Sequence, residues 1–457
     1  MLGCRVIILL LTGTRVFGQA PEQPVIRVDV RQVLVPVIVT DSKGHHVTGL
    51  KASDFRVLED GVSQDIAAFS ANTAPTAGAL LSATESASAG SAAQTPPATP
   101  KSLPHTFVIC VDAMHSASAN TARVREALAQ FFQKEKATEA QYVLLSIGRQ
   151  VQVLQTATSD PAAVFSRLHS PQVKASFGGG DAATFSSELN DLQNRMYDFC
   201  RRCAACGSRS NFRACDSEVQ NLKVSVDGQA EHWSLLRDQF LAQLKGVVEE
   251  LAKLPSGRTL ILVSDGFSLQ PTREFYAVVS AFLPEDPRFK LSGPTDLESS
   301  LQSVIKVATE KNVRIYAIDS RGLAQGSFAN HGSMDASVPA DRSAPSVIGR
   351  SSNTNRGGTL LSDLDRHANA VAFQNDSGME QLAQSTGGAF FHDSNDMLKQ
   401  FRSVLADGRE YYLLAYVPRN RAEDGKFRRI TVEATDKKLH VRAKSGYWSG
   451  TAQDQAR

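Results

Sequence analysis

Apolar and polar positions change period several times along the chain, and each change predicts an element. Between residues 25 and 70 the pattern is strand-like. Val33-Leu34-Val35-Pro36-Val37-Ile38-Val39 is apolar and β-branched, and Asp41-Ser42-Lys43-Gly44 follows as a turn. Phe55-Arg56-Val57-Leu58, the turn Glu59-Asp60-Gly61 and Gln64 to Phe69 predict a second strand pair, while Pro36 favours an edge strand or a bulge. From Phe107 onward, strands and helices alternate. Thr106 to Val111 is a continuous apolar strand ending in Asp112, and Asn120–Lys136 places Val124, Leu128 and Phe131 on one helix face. Tyr142 to Ile147 and Val151 to Leu154 read as strands. Trp233 to Leu254 is an amphipathic helix with Leu236, Phe240, Leu244, Val247 and Leu251 at three- and four-residue spacing. Thr259 to Val263 is a buried strand ending at Ser264-Asp265-Gly266, and a helix over Glu298–Lys311 leads to strand Val313 to Ile318, ending at Asp319. Helices near Met379–Ser385 and Asn395–Ala406 flank a short strand, Ala389-Phe390-Phe391. The last stretch returns to β character at Tyr412 to Val417, Arg428 to Ala434 and Leu439 to Ala443.

This order predicts an α/β fold: a doubly wound, mostly parallel sheet flanked by helices over 105–408. It is interrupted by insertions at 185–232 and 324–358. The β segments at 25–70 and 409–448 are each too small for a good core, so they are expected to join in one β-sandwich-like domain. Residues 71–104 read as a disordered linker, since Ala, Ser, Thr, Pro and Gly fill 27 of its 34 positions.

Composition narrows the function classes. Charges nearly balance, 49 Lys+Arg against 47 Asp+Glu, which argues against a general nucleic-acid binder. The first 20 residues read as a secretory signal: Arg5, the apolar run Val6 to Leu11, then Gly18-Gln19-Ala20 with small residues at the cleavage positions. That run is far shorter than the ~20 residues of a spanning helix, and no later stretch is long and apolar enough to span. The expected setting is exported, periplasmic or secreted.

Candidate chemistry sits at strand ends, where open α/β sheets bind ligands. Asp112, Asp265 and Asp319 each close a strand. Carboxylates and hydroxyls converging there suit a hard cation such as Mg²⁺. The competing reading is that each Asp caps a helix or satisfies loop amides.

Phe107 to Ser116, Ser264-Asp265-Gly266-Phe267 and Val313 to Asp319 resemble a von Willebrand factor type A (VWFA) domain. Val35 to Asp41, Gly49-Leu50 with Asp54-Phe55, Leu58-Glu59-Asp60-Gly61, Thr386-Gly387-Gly388, Tyr411 to Leu414 and Ser445-Gly446-Tyr447 extend the likeness to VWFA-related exported proteins of the kind abundant in acidobacteria. The resemblance implies a metal-ion-dependent adhesion site, Asp-x-Ser-x-Ser followed by a Thr and an Asp on separate loops. Asp112 and Ser116 match its first and third positions, Asp265 its last, and Thr184 its Thr more loosely. Met114 replaces the middle Ser, and its thioether is a poor ligand for Mg²⁺ or Mn²⁺. His115 is expected to be a loop residue facing solvent.

Four of the six cysteines depart from that pattern. Cys200, Cys203, Cys206 and Cys215 cluster in the first insertion. Two disulfides suit an exported protein, a tetrahedral Zn²⁺ site and a redox pair are the alternatives, and three connectivities stay open. Cys110, inside the first buried strand, reads as an inert core thiol.

The functional expectation is a non-enzymatic protein-binding module, an adhesion or scaffold protein, that engages a partner protein's acidic side chain through a partly degenerate metal site. A scaffold whose site works without metal is the first alternative. A hydrolytic or thiol-redox enzyme is the second, disfavoured because no Gly-x-Ser-x-Gly elbow, His-Glu-x-x-His pair or phosphate loop occurs.

Overall fold

The computed structural model describes residues 32–72, 105–136, 140–177, 185–203, 215–254, 257–283, 286–290, 297–323 and 377–450. The stretch read as a secretory signal, nearly all of the expected linker, Thr184, Cys206 and the expected 324–358 insertion lie outside them.

The central sheet has six strands in the order β10-β9-β8-β5-β6-β7. In chain order they are β5 (Thr106–Asp112), β6 (Gln141–Ile147), β7 (Val151–Thr158), β8 (Arg258–Ser264), β9 (Arg314–Asp319) and β10 (Phe390–Phe391). Neighbours are parallel, except that β7 runs antiparallel to β6 at one edge. This is a doubly wound, mostly parallel α/β sheet. Successive strands leave β5 in one direction, then return to its other side at β8, so the strand order reverses between β5 and β8.

Burial on both faces explains why β5 is apolar throughout. Phe107, Ile109 and Val111 face one layer, where α1 (Ser118–Lys134) contributes Val124, Leu128 and Phe131, and α9 (Met397–Arg409) contributes Phe401 and Val404. Val108 and Cys110 face the other. There α5 (Asp216–Ala252) supplies Phe240, Leu244 and Val248, α7 (Leu297–Glu310) supplies Leu301 and Val304, and the helix over 377–386, α8, supplies Met379 and Leu382. Cys110 is a fully buried free thiol whose pKa burial drives upward. Two further helices, α2 (Pro161–Leu168) and α3 (Pro171–Phe177), follow β7.

Both chain ends build the second unit. One sheet has the order β13-β1-β11-β4 and the other β14-β12-β2-β3. The N-terminal segment gives β1 (Val33–Thr40), β2 (Phe55–Glu59), β3 (Val62–Gln64) and β4 (Ile66–Asn72). The C-terminal segment gives β11 (Tyr411–Tyr416), β12 (Phe427–Ala434), β13 (His440–Ala443) and β14 (Gly446–Trp448). Val35, Val37, Phe55, Val57, Leu414 and Ile430 fill the space between the sheets, as expected of a sandwich assembled from both termini. Glu59 is buried among them and accepts hydrogen bonds from Tyr416 and Tyr447 at 2.7 and 3.0 Å.

Two expectations are corrected. β1 is an interior strand, paired with β11 and β13, despite Pro36. β13 begins pairing only at Val37, so the missing proline N–H falls where one side of β1 has no partner. The helix expected from Trp233 also starts earlier: α5 begins at Asp216, and α4 (Phe185–Cys203) packs against it. Val219, Val226 and Ala230 extend the apolar stripe of α5 toward its N-terminus and bury against Leu189, Leu192 and Met196 of α4.

A disulfide, Cys203–Cys215, joins α4 to α5 with a Cα separation of 6.0 Å, and Cys200 is likewise disulfide-bonded. This favours the disulfide alternative over zinc and fixes one pairing. Cys203→Ser is expected to lower stability by about 2–3 kcal/mol, because the bridge closes a short loop. The drop should appear in thermal unfolding under non-reducing conditions, and dithiothreitol, which also reduces the Cys200 bridge, should lower the wild type at least as far.

The Thr386-Gly387-Gly388 motif works as a junction. Thr386 Oγ1 accepts from the Ile315 amide at 3.0 Å. Gly387 has φ +82°, and a Cβ on Gly388 would lie 1.9 Å from the Ile315 carbonyl oxygen. Gly388→Ala must therefore separate two backbones, and we expect a loss of about 2–3 kcal/mol, read from the urea midpoint.

Candidate functional site

The strand-order reversal puts the ends of β5 and β8 side by side, and the sequence-derived residues meet there. Asp112 ends β5 with no exposed surface. Its Oδ1 accepts the backbone N–H groups of Met114 and His115, both at 2.9 Å. Its Oδ2 meets His115 Nδ1 at 2.9 Å and accepts the Ser264 hydroxyl at 2.7 Å. Burial alone would raise the Asp112 pKa, but the charge of His115 and these hydrogen bonds outweigh it and hold the carboxyl below its ordinary range.

Ser116 and Asp265 form the second half. The Ser116 hydroxyl accepts the Asp265 amide at 3.0 Å. Asp265 Oδ2 accepts the Ala117 amide at 2.8 Å and the Asn120 side chain at 2.7 Å, while Oδ1 accepts Ser320 Oγ at 2.5 Å. Asp265 thus ties the start of α1 to the ends of β8 and β9. Burial raises its pKa against the opposing pull of those bonds. Asp319 is held by Arg321 through two guanidinium contacts of 2.9 Å. Arg123 Nη2 donates to the carbonyls of Ser320 and Arg321 at 2.7 and 2.8 Å, which clamps the same rim.

His115 corrects the sequence reading. It is buried, not solvent-facing. Its ring stands edge-on to Phe240 at 4.8 Å and near Phe267 at 5.9 Å. Met114 is also buried and belongs to the apolar layer with Leu145 and Phe267. Sequence reasoning quoted Ser264 only as part of a motif and missed Asn120, Ser320 and two deeper residues, Arg237 and Glu274. Arg237 lies on α5, and Glu274 on α6 (Pro271–Phe282). Arg237 carried a legible signal: it falls four residues after Trp233 and three before Phe240, on the buried face of α5.

A divalent ion needs oxygen atoms with free lone pairs. Here four intramolecular donors saturate the Asp112 carboxylate, and the middle ligand position is a buried thioether. Asp265 is engaged by three donors of its own. The residues present do not fit a hard divalent cation. The cysteine end is separate: among the described residues, the one grouping with metal-compatible spacing is Cys203, Cys215 and Glu218, and its two sulfurs are already bonded to each other.

The geometry also differs from a hydrolytic triad. The carboxylate stands between the serine and the histidine, and Ser264, Asp112 and His115 are all buried. A nucleophile needs the imidazole next to the hydroxyl.

No protein-family model matches the sequence, and no curated protein matches it. Among solved structures, the chain is similar to an aerotolerance-related membrane protein from Bacteroides fragilis, with 11% identity, a TM-score of 0.29, and coverage of 67% of this chain and 99% of that one. It is similar to a von Willebrand factor type A structure from Catenulispora acidiphila at 10% identity and TM-score 0.30, covering 77% of this chain and 68% of that one. The pilus adhesin SpaC from Lactobacillus rhamnosus GG matches at 9% identity and TM-score 0.32, covering 77% of this chain but 44% of that one. Among the described residues no helix is long and apolar enough to cross a membrane.

Proposed function

We propose that this chain is a non-enzymatic protein-binding module, an adhesion or scaffold protein, that engages its partner without a bridging metal ion. The observation that carries this reading is the saturation of Asp112. A metal-bridged contact with a partner carboxylate needs Asp112 and its loop as an open ligand set. Here the carboxylate is spent on Met114, His115 and Ser264. Of the two binding readings the sequence allowed, the metal-free one agrees with this donor count. The disulfide between α4 and α5 supports an exported, oxidising setting, periplasmic or secreted.

Thermal unfolding of the full chain tests the metal clause. Ligands that bind only the folded state raise its midpoint. The wild type is expected to melt at the same temperature in Mg²⁺, Mn²⁺ and EDTA. A Mn²⁺-dependent rise that Asp112→Ala abolishes would overturn the proposal.

A further inference from the structure

A crevice of about 490 Å³ lies where α7 and the end of α8 meet the β12–β14 pair of the sandwich. Its walls are Gln302 and Ile305 of α7, Ser385 of α8, and Phe427, Arg429, Ser445 and Trp448 from the sandwich. It takes no part in the Asp112 loop. Ser385 precedes Thr386, which bonds Ile315 near the start of β9, whereas the Asp112 rim gathers around the end of β9. The crevice therefore opens at the opposite end of the central sheet.

Strand geometry builds its sandwich wall. Phe427 and Arg429 are two apart on β12 and so share one face. Trp448 stands opposite Phe427, and Gly446 opposite Arg429. The two rings meet edge-on at 4.7 Å. A Cβ on Gly446 would come within 2.4 Å of the Phe427 ring, so the glycine is what lets that ring lie across β14. It also places no side chain beside Arg429. The two walls are tied together, because the Ser385 carbonyl accepts the Ser445 amide at 3.1 Å and its hydroxyl at 3.3 Å. The crevice is thus preformed, which lowers the ordering cost of binding.

Charge and size choose the occupant. Arg429 is exposed and makes no ion pair among the described residues. Two carboxylates nearby are already engaged. Asp60 accepts the Arg429 amide at 2.9 Å and lies 3.8 Å from Arg428 Nη1. Glu298 accepts the Gln302 and Gln381 side chains, both at 3.0 Å. None of the described residues lining the crevice is acidic. A guanidinium without a counter-charge selects a carboxylate, which it can hold through two parallel hydrogen bonds. Phe427 is 38% exposed, and with Trp448 and Ile305 it offers an apolar wall for an aromatic ring. The volume admits one or two side chains. A helix, about 10 Å across, would not enter.

We propose that this crevice is where the chain engages its partner, by receiving an extended peptide segment that carries a side-chain carboxylate and an aromatic ring two residues apart. This rests on the protein-binding reading above and gives it a site and a ligand chemistry. The carboxylate pairs with Arg429, and the ring packs on Phe427 and Trp448. Two residues of an extended ligand span about 7 Å, the same repeat that separates Phe427 from Arg429 along β12. Gln302 and Ser385 supply polar groups for the peptide backbone.

The probe is the blocked pentapeptide Ala-Phe-Ala-Asp-Ala, with its Asn analogue as control. Tryptophan fluorescence reads binding, since Trp448 lines the crevice and the chain's other tryptophan, Trp233, is buried. Titrating the full chain at low salt should give a saturable change that Trp448→Phe removes. The Asn analogue and Arg429→Gln should each weaken binding about tenfold or more. Arg429→Lys, which keeps the charge but loses the fork, should weaken it less. Raising the salt should weaken the wild type and leave Arg429→Gln unmoved. The Arg429 side chain is exposed, so both its variants should melt with the wild type, which shows that they are folded. No saturable change in the wild type, equal affinity for the Asp and Asn peptides, or wild-type affinity in Arg429→Gln would overturn the inference. Each of these leaves the metal-free reading standing, whereas a Mn²⁺-dependent rise in the wild-type midpoint sinks that reading and leaves the crevice untouched.

Discussion

Asp112→Ala is expected to destabilise the protein by about 3–5 kcal/mol, the range for removing one partner of a buried charge pair. Four donors lose their acceptor together: two loop amides, the His115 imidazole and the Ser264 hydroxyl. Ser264 also accepts the Gly266 amide at 3.0 Å, so the loss spreads to the turn after β8. Urea unfolding measures it directly. In a protein whose Asp112 served an exchangeable metal, the same substitution would cost little in EDTA. A loss below about 1 kcal/mol, the scale of an exposed ion pair, would show that the carboxylate is not the keystone of this loop. Asp112→Asn should fall between, since one amide oxygen can still accept the loop N–H groups.

The second large effect lies where the sandwich meets the α/β unit. Asp407, on the last turn of α9, accepts from Arg442 of β13 at 2.5 Å and lies 2.7 Å from His46 Nε2 in the loop after β1. The backbone carbonyl of Asp407 accepts from Arg314 of β9 at 3.1 Å, and that guanidinium lies 4.7 Å from the Tyr411 ring centre. Asp407→Ala leaves His46 and Arg442 facing each other across a buried joint, and we expect a loss of about 3–5 kcal/mol. The pH dependence follows from the pKa. Burial would raise the Asp407 carboxyl, but the hydrogen bond from His46 and the charge of Arg442 prevail and depress it. A depressed carboxylate stabilises the fold above its unfolded pKa, about 3.9. That contribution is lost as pH falls through the folded value. Wild-type stability should thus fall more steeply below about pH 4 than that of Asp407→Ala. Parallel acid curves for the two proteins would contradict this role.

Lysine 444 tightens the same joint in a different way. Its Nζ is buried and donates to the Thr309 carbonyl at 3.1 Å and to Asn312 Oδ1 at 2.7 Å, beside the end of α7. Burial lowers its pKa to about 8. The cation sits where a helix C-terminus favours positive charge.

The sequence was most legible where period and burial coincide. β5, β8 and β9 are buried on both faces, so their uninterrupted apolar runs named them, and the Asp at the end of β5 and those at and just after the ends of β9 and β8 followed. The helix-strand alternation implied the doubly wound sheet. The start of α5 was less legible, because its N-terminal half buries only a narrow stripe against α4. Pro36 argued for an edge strand because pattern alone cannot show that β13 reaches only as far as Val37.

By itself, then, the sequence determined the sheet, the sandwich built from two distant segments, the crowding of Asp112, Ser116 and Asp265 at one strand-end rim, and a cysteine cluster in one insertion. These follow from local periodicity and from the rule that ligand-bearing loops gather where strand order reverses. What tertiary structure alone decided is what those residues do to one another. Whether a carboxylate is free for a ligand depends on which donors reach it, and the decisive ones, His115 turned inward and Ser264 from the neighbouring strand, are set by packing against Phe240 and Phe267. The same holds for Arg237: its position on the buried face of α5 was visible in the spacing. Its stacking on Phe185 exists only because the fold lays α4 against that face.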